Sequence, residues 1–236
     1  MNLGILQCDK VREQFAAHGQ YPDRFAMLLR PVYPAIAFTT FDVEQCEFPR
    51  NIDEADAYLI TGSRHGVNEG SPWIAALEEF VRTLHQAQKK LIGICFGHQL
   101  IAKALGGKVI KWPQGWGVGM SCNKVNQHKS WMRPIQSEFN LLVSHQDQVT
   151  ELPKEAEVLA SSEFCPNYMT QIGSHILTVQ GHPEFTKSFA HDLMVFRRLI
   201  LGEQVFLKGV NSLTLPEDDA LIAQWIINFL QEKQGL

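Results

Sequence analysis

The sequence predicts a single α/β domain built on a central, mostly parallel sheet flanked by helices. Three observations carry this. Short apolar runs alternate with amphipathic stretches from Leu3 to Leu105, an order that lays helices on both faces of a parallel sheet. Beyond Val118, four strand-like segments follow with turns between them, which adds a few antiparallel strands. The 236 residues are 45% apolar and 19% charged, enough to fill a hydrophobic core without disulfides or metals.

Each element has its own signal. Leu3–Gln7 is a short apolar run suited to a buried strand. Val11–Leu29 follows as a helix with Phe15, Phe25, Met27 and Leu28 as apolar residues, and Pro31 and Pro34 punctuate it. Ala35–Thr40 and Asp56–Ile60 are strands, the second ending at Thr61-Gly62-Ser63. Ser71 stands as an N-cap with Pro72 at the first helical position. Ile74, Leu77, Phe80, Val81 and Leu84 then recur at helical spacing. Lys90–Ile94 is a fourth strand, and Gln99–Leu105 is a helix closed by Gly106-Gly107. Val118–Val125, Asn140–Val143, Val158–Ser161 and Ile176–Gln180 are the later strands, and Lys187–Leu201 is a helix. Gly202–Asp219, with Gly209, Asn211 and Pro216, reads as a surface connection before a last helix, Ala220–Leu230. No linker interrupts the chain, so residues 1–201 are expected as one domain and 202–236 as a C-terminal extension packed on it.

Composition narrows the function classes. With 21 basic and 25 acidic residues, the net charge is -4, the wrong balance for a protein that neutralises phosphates, so no nucleic acid is expected. No apolar run is long enough to span a membrane, and the first residues do not read as a signal peptide. Cys8, Cys46, Cys95, Cys122 and Cys165 are odd in number and contain no Cys-x-x-Cys pair. Reduced thiols in a cytoplasmic protein are the expectation. Asp9, His65 and His128 are scattered without ligand spacing, so neither a metal nor another cofactor is expected.

The informative stretch is Gly93-Ile94-Cys95-Phe96-Gly97, set between a strand and a helix. It has the pattern of a nucleophile elbow with cysteine in place of serine. The chain must turn sharply there, and glycines on either side give the room. The thiol then sits at a helix N-terminus, where dipole and free amides favour thiolate. The Phe96 amide points toward an oxyanion formed beside Cys95. A buried structural thiol is the bland alternative.

The second segment is Gly181-His182-Pro183-Glu184-Phe185 at the end of a strand. Residues two apart in an extended chain point the same way, so Glu184 can hold one ring nitrogen of His182 while the other faces a nucleophile. A surface His-Pro-Glu turn is the alternative. His145, with Asp147 two residues on, competes for the role of base.

Together these segments resemble the class I, or triad, glutamine amidotransferases. Gly93 to Gln99 is similar to that family's Gly-x-Cys-x-Gly-x-Gln segment, and His182-Pro183-Glu184 to its His-Pro-Glu. Ser144-His145-Gln146-Asp147-Gln148-Val149 resembles the Ser-His-Gly-Asp-x-Val stretch of GMP-synthase amidotransferase parts. Leu59–Ser63 resembles the loop that supplies an oxyanion amide. The resemblance implies a flavodoxin-like sheet. It implies Cys95 as nucleophile, His182 as base and Glu184 as its orienter. It also implies amides of Gly62 and Phe96 as the oxyanion hole, with Gln99, Ser144, His145 and Gln146 holding substrate. The chemistry implied is hydrolysis of the glutamine side-chain amide through a γ-glutamyl thioester, with no cofactor.

Three positions depart from the family pattern: Gln146 replaces a glycine, Gly181 replaces a frequent phenylalanine, and Gly117-Val118-Gly119 lacks a frequent acidic residue. The residues after 201 are too few for an ATP-binding domain. A glutaminase docked on a separate synthetase, a stand-alone enzyme on γ-glutamyl compounds, and a non-catalytic binding module all stay open. Thr61–Ile74 and Ala223–Leu230 resemble stand-alone γ-glutamyl peptidases.

Overall fold

The computed structural model describes residues 1–232. In chain order the strands are β1 (Asn2–Gln7), β2 (Ala37–Asp42), β3 (Ala57–Ile60), β4 (Leu91–Ile94), β5 (Lys108–Lys111), β6 (Gly117–Val125), β7 (Glu138–His145), β8 (Asp147–Glu151), β9 (Ala156–Ser161), β10 (Met169–Ile172) and β11 (Ile176–Val179). The helices are α1 (Tyr21–Leu29), α2 (Pro72–Gln86), α3 (Phe96–Ala104), α4 (Lys187–Phe196), α5 (Arg198–Leu201), α6 (Glu203–Ser212) and α7 (Asp219–Gln231).

Nine strands form the main sheet in the order β2-β1-β3-β4-β11-β10-β9-β6-β7, with β5 and β8 paired apart. β2, β1, β3, β4 and β11 run parallel, and the rest of the sheet is antiparallel. Alternation along the strands splits the core in two. Leu3 and Ile5 of β1 face Phe25 of α1 and Trp225, Ile226 and Phe229 of α7, while Leu6 and Ile60 face Leu77 of α2 and Leu100 of α3. Each such large apolar side chain, fully buried, stabilises by about 1.5–3 kcal/mol. Among the described residues no helix is long and apolar enough to cross a membrane.

Five differences from the sequence reading have physical causes. The expected helix Val11–Leu29 is split into a 3-10 helix, Glu13–His18, and α1; Gly19 breaks it at φ +74°, and Gln20 with Asp23 builds a capping box that restarts the chain. The helix expected from Gln99 begins at Phe96, because the turn after β4 is immediate. The helix Lys187–Leu201 is interrupted at Arg197. Gly202–Asp219 is not simply a surface connection, since it contains α6. Gly209, read as a loop marker, is a point of close packing: a Cβ there would lie 2.8 Å from Val118 Cγ2 on β6. Finally, β5, β8 and β10 escaped notice. β10 is four fully buried residues, and only Gln146 separates β7 from β8. Residues 233–236 of the expected 202–236 extension lie outside the described residues.

Candidate active site

β3, β4 and β11 are neighbours and run the same way, so their C-terminal ends open on one edge of the sheet. That edge is where open α/β sheets bind ligands. Ile60 pairs with Gly93, and Ile94 pairs with Val179. Register alone therefore gathers Gly62 beyond the end of β3, Cys95 beyond β4 and His182 beyond β11.

Cys95 has φ +52° and ψ -98°, a conformation a β-substituted residue adopts only when its surroundings impose it. Its amide donates to the Val179 carbonyl at 2.8 Å, and its own carbonyl accepts from the Gln99 amide at 3.1 Å. The flanking glycines let helix and strands close up. A Cβ on Gly97 would lie 2.6 Å from the Ile60 carbonyl oxygen, and one on Gly93 would lie 2.8 Å from the Gly97 carbonyl group.

His182 Nδ1 lies 2.7 Å from Glu184 Oε1, and both side chains are buried. The Nδ1 proton donated to that carboxylate leaves Nε2 as the free ring nitrogen, and the ring is within hydrogen-bonding reach of the Cys95 thiol. Burial by itself lowers the His182 pKa; the Cys95 sulfur and the Glu184 carboxylate outweigh it and hold the imidazole well above its ordinary range. The arrangement favours the imidazolium form of His182. Gly62 lies flat against this ring, where a Cβ would meet His182 Cε1 at 2.7 Å. Phe96 is buried at the first turn of α3.

An open cleft of about 440 Å³ lies over Cys95 and Phe96, with Gln99, Ser144, His145 and Gln146 on its walls. Some of these groups already have protein partners. Gln99 Nε2 donates to the Asp147 carbonyl at 2.8 Å and to Gln180 Oε1 at 3.0 Å. Ser144 Oγ accepts from Arg197 at 2.6 Å, and the Gln146 carbonyl accepts from the Trp112 amide at 3.0 Å. His145 shares a hydrogen bond with the Asp147 carbonyl at 3.1 Å; burial, then the neighbouring His182 charge, pushes it down to about 4, so it is neutral near pH 7. His98 turns away from the cleft to the Thr178 hydroxyl at 2.7 Å, and burial pushes it down to about 3.

Several cleft residues carried no sequence signal. Arg64, Lys111, Trp116 and Arg197 complete the wall. Asp9 and His65, read as scattered, belong to this region. Asp9 pairs with Arg64 at 2.6 Å, and His65 Nδ1 lies 2.8 Å from Glu69 Oε2 at the rim. Trp116 lies under the Arg197 guanidinium at 5.4 Å. Two departures from the family pattern follow from packing. A side chain at Gly181 would collide with the Tyr168 hydroxyl on a fully buried ring. Val118, which stands where the acidic residue would be, packs against the buried Met194, Leu201 and Phe206 of α4, α5 and α6.

Comparison with known proteins agrees with this architecture. The sequence pattern of the Glutamine amidotransferase class-I family matches residues 37–201. Gamma-glutamyl peptidase 3 of Arabidopsis thaliana is 31% identical over 202 residues, 81% of this chain and 81% of that protein. The GMP synthase [glutamine-hydrolyzing] of Aeropyrum pernix is 35% identical over 169 residues, 70% of this chain and 31% of that protein. The crystal structure of a glutamine amido transferase from Methylobacillus flagellatus has the same fold, with a TM-score of 0.77 at 18% identity over 100% of this chain and 97% of that one. A family match across most of the chain, with a strand-to-helix elbow at its centre, makes this chain a member of the class I glutamine amidotransferase family.

Proposed function

We propose that the chain is a cysteine hydrolase of γ-glutamyl amide bonds. The observation that supports this is the His182 imidazole, held by Glu184 at 2.7 Å and within hydrogen-bonding reach of Cys95. Cys95 gives its proton to His182, and the thiolate attacks the γ-carbonyl carbon. The oxyanion is held by the amides of Gly62 and Phe96, donors each worth about 2.7–4 kcal/mol in comparable sites. His182 returns the proton to the departing nitrogen, the C–N bond breaks, and a γ-glutamyl thioester stays on Cys95. Water, deprotonated by the same imidazole, attacks the thioester; glutamate leaves and the thiol is restored. Gln99 and the Ser144-His145-Gln146 segment hold the glutamyl part. A reducing, cytoplasmic setting suits an enzyme that needs a free thiol.

Stand-alone cleavage of γ-glutamyl compounds is the favoured form. A cleft of about 440 Å³ falls in the range of roughly 300–1,000 Å³ that takes ligands of drug size, and a relative covering most of this chain carries the name gamma-glutamyl peptidase. Release of ammonia from glutamine for a separate synthetase is the second reading, favoured by the similarity to a glutamine-hydrolyzing GMP synthase.

Intact mass after exposure to a γ-glutamyl affinity label, with amino-acid and ammonia release from γ-glutamyl dipeptides and glutamine, tests this. The expected result is one adduct on the native protein, none on Cys95→Ala, and dipeptide hydrolysis without a partner. An unlabelled native protein, or a Cys95→Ala variant that still turns over, overturns it.

A further inference from the structure

Arg197 ends α4 and precedes α5, with its backbone held on both sides: its amide donates to the Leu193 carbonyl, and its carbonyl accepts from the amides of Ile200 and Leu201. Its guanidinium donates to Ser144 Oγ at 2.6 Å and covers the Trp116 ring at 5.4 Å. Among the described residues no carboxylate lies within ion-pair distance of it. Arg64, on the same wall, has Asp9. A half-buried guanidinium that has lost water without gaining a counter-ion is destabilising, and a bound anion restores the balance.

The position says which anion. Arg197 lines the cleft over Cys95, and it also lines a small recess of about 60 Å³ that opens beside His182. His182 must hand its proton to the departing nitrogen, so ligand atoms on its side belong to the departing half of the substrate. The recess is walled by Asp9, Lys10, Arg12 and Arg64 as well as by Phe15 and Phe185. A carboxylate one carbon from the departing nitrogen is that of an α-amino acid.

We propose that Arg197 reads a carboxylate on the departing half of the substrate, so that the preferred substrates are γ-glutamyl amino acids with a free carboxylate on the second residue. The inference rests on the γ-glutamyl hydrolase reading and names its substrate class. Glutamine lacks that carboxylate in its departing half and is the poorer substrate.

The test compares γ-glutamylalanine with γ-glutamylethylamide, which differ only by that carboxylate. The native enzyme is expected to favour the alanine compound by about 10-fold or more in kcat/KM, the scale of one charge-assisted contact. Arg197→Met and Arg197→Gln are expected to bring the ratio of the two substrates close to one, and Arg197→Lys to recover part of it. General damage to the site lowers both substrates and leaves the ratio alone, so an unchanged ratio in Arg197→Met overturns the inference. So does a loss shared equally by both substrates, which would put Arg197 on the glutamyl carboxylate instead. A native enzyme that cleaves both test compounds equally fails this inference alone, whereas one that cleaves neither and takes up no label fails the hydrolase reading beneath it.

Discussion

Phe185 lies flat on the His182 imidazole, with ring centroids 3.8 Å apart and planes 16° from parallel. With Glu184 on one ring nitrogen, the stack fixes the remaining rotation of the imidazole. Behind it, Phe189 meets Phe185 edge-on at 4.8 Å, and the Arg24 guanidinium covers Phe189 at 3.8 Å. Phe185→Ala is therefore expected to lower kcat by about 10- to 100-fold through misplacement of the base, with a smaller change in KM, and Phe185→Tyr to restore most of it. Steady-state kinetics on a γ-glutamyl substrate checks this; an Ala variant with native kcat means Glu184 alone positions the ring.

Gly97 gives a sharper steric case. A Cβ there would lie 2.6 Å from a backbone oxygen of β3, and backbone cannot swing aside as a side chain can. Gly97→Ala is expected to cost about 1–3 kcal/mol of stability, the usual scale of overpacking, and to displace Cys95 with it. Urea unfolding and labelling of Cys95 should both report the change. An alanine variant as stable and as reactive as the native protein would refute the close-packing account of the elbow.

Acid should unfold the protein through buried histidines. Burial pushes His98 down to about 3 and His145 to about 4, and burial with the neighbouring His85 does the same for His175 at about 4. The unfolded chain titrates these rings near ~6.5, so it binds protons first as pH falls. Their contribution is complete above pH ~6.5 and is lost toward the folded values, at up to about 1.4 kcal/mol per pH unit for each ring. His182 has the opposite sign, because its folded value is raised: that contribution is present below ~6.5 and declines as alkali climbs toward the folded value. Urea midpoints between pH 7.5 and 5 are expected to fall steeply, and His175→Asn to flatten the slope. A midpoint independent of pH in this window contradicts the neutral assignments.

Glu217 supplies an alkaline counterpart outside the site. Burial, then the charges of Asp219 and Asp218 against a weaker pull from Lys187, raise it to about 7, and its Oε1 has no hydrogen-bond partner. A raised carboxyl contributes its stability in the protonated form and loses it as pH rises through the folded value. Glu217→Gln should stabilise more at pH 8 than at pH 5, read by thermal unfolding at both. Equal effects at the two pH values would dismiss a protonated Glu217.

What the sequence revealed was what short spacing controls. Cys95 between Gly93 and Gly97, and Glu184 two residues after His182, carry their geometry within a few residues, and the structure brings them together. The parallel block was legible because its strands alternate with helices. Arg197 was invisible, since its meaning depends on an interruption between α4 and α5 that places it against Ser144 of β7. Gly209 was misread because a glycine at a helix–sheet contact and one in a loop look alike without the partner surface. β8 gave no turn signal, having one residue between it and β7. Gly181 and Val118 looked like departures until Tyr168 and the cluster of Met194, Leu201 and Phe206 supplied the surfaces they pack on.

The sheet order has a consequence for the newborn polypeptide. β11 comes late from the ribosome yet sits between β4 and β10, in the middle of the finished sheet. Cys95 emerges long before His182, and until β11 slots in beside β4 the two residues cannot meet. The cleft is thus incomplete through most of the chain's synthesis, and a slip of one residue in that final pairing would turn the side chains of β11 to the wrong face. On the proposed chemistry, recovered turnover after refolding is a direct gauge of how many molecules have inserted that last central strand in the correct frame.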